Sequence, residues 1–121
     1  MSKLALILVL MSLVCKADDL RQADVTVIIQ DVRVLPTNQP PRPATLGDII
    51  KGTMAVKTGF SSRTELTFQD ATVTRIGSRS IFTFKDGTRI IALKSGSVLL
   101  YVPRGAPPVK VKMEKLTATA P

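Results

Sequence analysis

A chain of 121 residues with a formal net charge of +8 forms one domain at most. It has no histidine and one cysteine, which excludes a disulfide framework and imidazole chemistry. Its basic residues are spread along the chain, with no tryptophan and one tyrosine; the charge therefore favours anionic partners such as acidic lipid, polyanionic glycan or an acidic protein face, and no nucleic acid.

Residues 1–17 read as a signal-peptide helix. Met1-Ser2-Lys3 is a short positive start, and "LALILVLMSLV" is apolar but too short to span a bilayer. Cys15 and Ala17 stand at the small-residue positions of a cleavage site, so cleavage is expected after Ala17, with no transmembrane helix after processing. Lipid attachment at Cys15 is the lesser alternative, because Val14 is bulky where a lipoprotein signal needs a small residue. Removing these 17 residues from 121 leaves 104 without cysteine, and the loss of Lys3 and Lys16 takes the charge from +8 to +6. The expected location is extracytoplasmic, either periplasmic or secreted.

Residues 18–35 contain "VTVIIQDVRVL", a β-branched run that reads as one N-terminal strand. Residues 36–45, "PTNQPPRPAT", hold four prolines and read as an extended loop, since proline has no amide hydrogen for a ladder. From residue 46 to 121 turn signals recur at all-β spacing, beginning with two short strands in "LGDIIKGTMAVKTG". The expected fold is all-β, a small sandwich or rolled sheet of short antiparallel strands.

Asp86-Gly87 and Ser95-Gly96 read as two-residue hairpin turns. They predict a three-stranded meander in which Phe82 faces Ile91, Leu93 faces Val98 and Ile91 faces Leu100. Phe82, Phe84 and Tyr101 are then expected in the core. Val109, Val111 and Met113 alternate with Lys110 and Lys112, as in an edge strand whose lysines keep like chains apart. Such an edge is expected to self-associate weakly or to await a partner strand.

The hydroxyls and acids of "TGFSSRTELTFQD" form no catalytic set. Ser61 or Ser62 as nucleophile needs a base, and Lys51 and Lys57 sit in ordinary strand-alternating contexts. Glu65 and Asp70, the only candidate carboxylate pair, lack a third polar group to set their pKa values apart or to complete a metal site. No catalytic residue, cofactor or metal is expected. Gly59, Ser61 and Ser62 read as turn residues. A three-residue loop at Gln69-Asp70-Ala71 places Glu65 opposite Arg75, whereas a two-residue loop places Leu66 there; the residues leave both registers open.

"VKTGFSSRTELTFQDATVTRIGSRSIFTF", followed by "LKSGSVLLYV" and "VKVK", resembles the FecR-type domain of bacterial envelope proteins over residues 46–120. The family pattern falls on Thr58, Gly59, Ser61, Glu65, Leu66, Asp70, Arg75, Ile76, Gly77 and Ser80, residues expected to shape the fold. The resemblance implies an extracytoplasmic, non-enzymatic binding or interaction module, with another envelope protein as partner. In the best-understood members it implies signal relay from an outer-membrane transporter to a sigma-factor regulator. A structural envelope component, or a binder of anionic surface glycan or lipid, is the alternative. The sequence departs from the pattern in having Ala71 where the family usually has glycine. It also lacks the transmembrane and cytoplasmic parts of the signalling members. The pattern runs past the late strand where this sequence stops at Pro121, so a C-terminally truncated domain is one expectation.

Overall fold

The computed structural model describes residues 19–114; the signal segment, the cleavage site at Ala17 and Cys15 lie outside the described residues. All regular structure described is β. The strands are β1 (Gln22–Ile29), β2 (Val32–Leu35), β3 (Arg42–Pro43), β4 (Ile49–Lys51), β5 (Ala55–Thr58), β6 (Arg63–Phe68), β7 (Val73–Ile76), β8 (Ile81–Phe84), β9 (Ile90–Ser95), β10 (Val98–Tyr101) and β11 (Lys110–Met113). They form a smaller sheet in the order β10-β7-β6-β1-β4 and a larger one in the order β11-β9-β8-β5-β2-β3. Every pairing is antiparallel except β11 with β9.

Period-two alternation turns one row of each sheet inward. Val25, Leu66 and Ile76 from the smaller sheet join Val34, Val56, Phe82, Ile91 and Leu93 from the larger in a single buried cluster. Phe68 and Phe84 meet edge to face across the sheets, with ring centroids 4.9 Å apart.

Three expectations are corrected by the pairing. The N-terminal run is two strands in different sheets, broken at Gln30, which takes a positive φ of 64°. Asp86-Gly87 does sit in a hairpin, but with a longer loop: Lys85 accepts from Thr88 N at 3.2 Å and Lys85 N donates to Ile90 O at 3.0 Å. Phe82 therefore faces Leu93, and Phe84 faces Ile91. Ser95-Gly96 is no hairpin turn. It carries the chain from β9 in the larger sheet to β10 in the smaller, where Leu99 lies opposite Arg75. Tyr101 consequently points outward and is 61% exposed rather than part of the core.

The β6–β7 hairpin settles the open register. Phe68 N donates to Thr72 O at 2.8 Å and Ala71 N to Phe68 O at 2.9 Å, enclosing the three-residue loop Gln69-Asp70-Ala71. Glu65 then lies opposite Arg75. Ala71 adopts φ 74°, a left-handed conformation that costs an L-residue about 1–2 kcal/mol. Ala71→Gly relieves that strain but loosens the unfolded chain. The net expectation is a gain of about 0.5–1 kcal/mol, read as a higher denaturant midpoint; an unchanged or lowered midpoint contradicts the strain argument.

Candidate functional site

The residues that carry the family pattern fall into three places rather than one. The largest group builds one end of the sandwich, where the chain repeatedly arches from one sheet to the other. Thr58 closes β5 with its side chain buried. Its hydroxyl donates to Gly77 O at 2.6 Å and accepts from Ser80 N at 2.9 Å. Gly59 N donates to Asp31 O, and Gly59 O accepts from Arg79 N, each at 3.0 Å. A β-carbon on Gly59 would come within 2.6 Å of Asp31 Oδ2, so any larger residue here requires that exposed carboxylate to rotate away. Gly77 N donates to Ser97 O at 2.9 Å. The buried Ser80 hydroxyl accepts from Ser97 N at 3.0 Å and donates to Ser78 O at 3.2 Å.

Small hydroxyl residues suit these arches. Consecutive strands that separate into two sheets leave backbone groups with no ladder partner, and a short hydroxyl can satisfy one donor and one acceptor in little space. Ser61 is exposed with φ 53° and shapes the bend. The buried hydroxyl of that arch belongs to Ser62, which accepts from Asp31 N at 2.9 Å and donates to Phe60 O at 3.0 Å. Asp31 and Ser97 escaped notice in the sequence because the hydroxyls their amides bond, those of Ser62 and Ser80, lie 31 and 17 residues away.

The second place is the opposite end. Asp70 Oδ2 accepts from Arg89 Nη1 at 2.8 Å, and Asp70 Oδ1 accepts from Thr72 N at 2.9 Å. Arg89 Nε also donates to Pro107 O at 3.1 Å, tying the β6–β7 loop to the segment between β10 and β11. Burial pushes the Asp70 carboxyl upward. Thr72, through its hydroxyl nearby and its amide, and Arg89 together outweigh burial and hold the group below 3.8; the hydroxyl itself falls outside strict hydrogen-bond geometry. Asp48 is lowered for a simpler reason: Arg42 bonds it at 2.9 Å, against a smaller desolvation effect, and Thr45 N adds a 2.8 Å bond. That pair fastens the proline-rich segment to the start of β4.

The third place is the outer face of the smaller sheet. Glu65 and Arg75 form a cross-strand ion pair at 2.9 Å. Leu66 and Ile76 beside them turn into the core. An open cleft of about 560 Å³ runs over this face, bounded by Val27, Arg63, Glu65, Arg75 and Leu99. A second of about 400 Å³ adjoins it beside Ile29, Ser61 and Ser78.

Glu65 and Asp70 thus engage different arginines at different places and form no carboxylate pair. The Ser62 hydroxyl is committed to backbone groups, and Lys51 and Lys57 lie exposed on different sheets. Among the described residues no three His, Cys, Asp or Glu side chains are placed to hold a metal ion, and no helix is long and apolar enough to cross a membrane.

No curated protein and no solved structure matches the chain. The sequence model of the FecR protein family matches residues 54–120, more than half of the chain. The matched span starts inside the sandwich: β1 and β2, which precede it, hydrogen-bond to β6 and β5 within it. With Thr58, Gly59, Gly77, Ser80, Ser97 and the β6–β7 hairpin all inside the match, the chain belongs to the FecR protein family.

Proposed function

We propose that this protein is an exported, non-catalytic interaction module of the bacterial envelope, which binds another envelope protein by adding a partner strand to β10. The observation that carries the reading is the state of that strand. β10 is an edge of the smaller sheet, bonded on one side to β7. The bond from Gly77 N to Ser97 O sets the phase of the ladder. Residues 97, 99 and 101 therefore face β7, and the N–H and C=O groups of Val98 and Leu100 point to the open side.

Leu99 and Tyr101 project from the outer face, 54% and 61% exposed, and Leu99 also borders the larger cleft. β10 contains no lysine and no proline, the residues that usually protect an edge from pairing. A backbone ladder with adjacent side-chain recesses is the arrangement by which an extended peptide is captured. Family membership and the signal-like first 17 residues support the envelope setting, and signal relay is the corresponding role.

Tagged mature protein should capture a partner from its own envelope fraction, and Leu99→Lys should reduce capture at least tenfold without lowering the unfolding midpoint. Capture that survives Leu99→Lys removes β10 as the docking strand. A wild-type protein that captures nothing removes the reading itself.

A further inference from the structure

The six strands of the larger sheet carry Arg33, Arg42, Lys57, Lys94, Lys110 and Lys112, and not one acidic residue. The smaller sheet is mixed, with Asp24 and Glu65 among Lys51, Arg63 and Arg75. Side chains alternate across a strand. Because Val34, Val56, Phe82 and Leu93 are buried and Val111 and Met113 pack on the core, Arg33, Lys57, Lys110 and Lys112 stand on the outer face. Lys85 extends that row from the end of β8, through its bond to Ile90.

Arg33 lies directly opposite Lys57, a like-charge cross-strand pair that costs stability. Asp31 bonds Arg33 at 3.2 Å. Lys57, Lys110 and Lys112 form no ion pair among the described residues. Asp31, Asp86 and Glu114 lie outside the strands, next to the ends of β2, β8 and β11, and of the six strand cations Arg42 is paired with Asp48 at 2.9 Å.

Between the cations stand the short side chains of Ala55, Thr83 and Ala92, with Ile81 opposite Lys57 and Ile90 opposite Lys110. The larger cleft opens on the outer face of the smaller sheet and the second beside the arches, neither of them on this face. A flexible polyanion or an acidic peptide is best held in a groove, whereas a flat cationic face complements a planar array of negative charge. We infer that the outer face of the larger sheet docks on the phosphate layer of an anionic lipid bilayer. This surface uses none of the residues of the partner-strand reading. It turns the outer face of the smaller sheet, with its cleft, away from the membrane.

The test is co-sedimentation of the purified protein with vesicles of phosphatidylglycerol and phosphatidylcholine, against vesicles of phosphatidylcholine alone. Binding is expected only to the anionic vesicles, and to weaken steeply as salt rises past physiological strength. A lysine close to an anionic surface contributes about fivefold in affinity, so Lys57→Gln with Lys112→Gln should weaken binding about thirtyfold. Lys51→Gln with Arg63→Gln, the same charge change on the other sheet, should leave it within about twofold. All four residues are exposed, and an unchanged unfolding midpoint verifies that each variant is folded. Equal loss from both pairs means that net charge alone drives binding and overturns the face assignment. Absence of vesicle binding, including the case where the protein instead binds a soluble anionic polysaccharide, overturns the membrane inference outright.

Discussion

Arg89→Leu is expected to lower the unfolding free energy by about 3–5 kcal/mol, the usual consequence of stranding one charge of a buried pair. Arg89 and Asp70 are 9% and 11% exposed, so solvent screens their attraction little. The arginine also bonds Pro107 O, and its own carbonyl accepts from Lys110 N at 2.9 Å, which starts the β11 ladder. Losing the side chain therefore loosens the β6–β7 loop and the return segment together. Against a total stability of about 5–15 kcal/mol for a domain this size, the variant should be near its unfolding midpoint in mild denaturant. A loss under about 1 kcal/mol in urea unfolding is incompatible with this role.

The same pair gives the domain an acid limit. The Asp70 carboxyl is held below 3.8 in the folded state, so the unfolded chain takes up the proton first as pH falls. Its contribution is present above pH 3.8 and is lost as pH drops through the lower folded-state value. Asp48, also lowered, acts in the same direction and window. Asp70→Asn should destabilise the domain at neutral pH and flatten the decline of stability below pH 3.8. An unaltered acid profile in this variant assigns the decline to other groups.

Leu93→Ala is expected to cost about 2–5 kcal/mol, the range for truncating a buried leucine. Leu93 is 2% exposed and lies directly opposite Phe82, with β11 bonded along the other side of its strand. Neighbours on two flanking strands and on the facing sheet resist collapse into the space left behind. A cost below half a kcal/mol in denaturant unfolding would show that the inward face of β9 is misassigned.

Much of the local structure was legible because it depends on near neighbours. The β6–β7 hairpin follows from alternation and a polar turn, and its Glu65–Arg75 pair was one of two registers the residues allowed. β11 lies at an edge, as its alternating lysines suggested. Yet Lys110 and Lys112 stand on the sheet face rather than along the rim, and the less protected rim proved to be β10. That difference was hidden because "VLLY" reads as a core strand until its neighbour is known.

The arches show the boundary most clearly. Glycine, serine and positive φ mark a reversal of the chain, and the sequence by itself determined that reversals occur near residues 59, 77, 87 and 96, that the fold is all-β, and which family pattern it carries. Whether the next strand returns to the same sheet or crosses to the other is decided by distant bonds. Ser80 to Ser97 spans 17 residues and Thr58 to Gly77 spans 19. Those contacts put β9 and β10 in different sheets, exposed Tyr101 and Leu99, and gathered the acid-free strands into one face. Turn chemistry is local and therefore written in short stretches of sequence. Sheet assignment is a collective choice among long-range hydrogen bonds and buried faces, and only the assembled sandwich can make it.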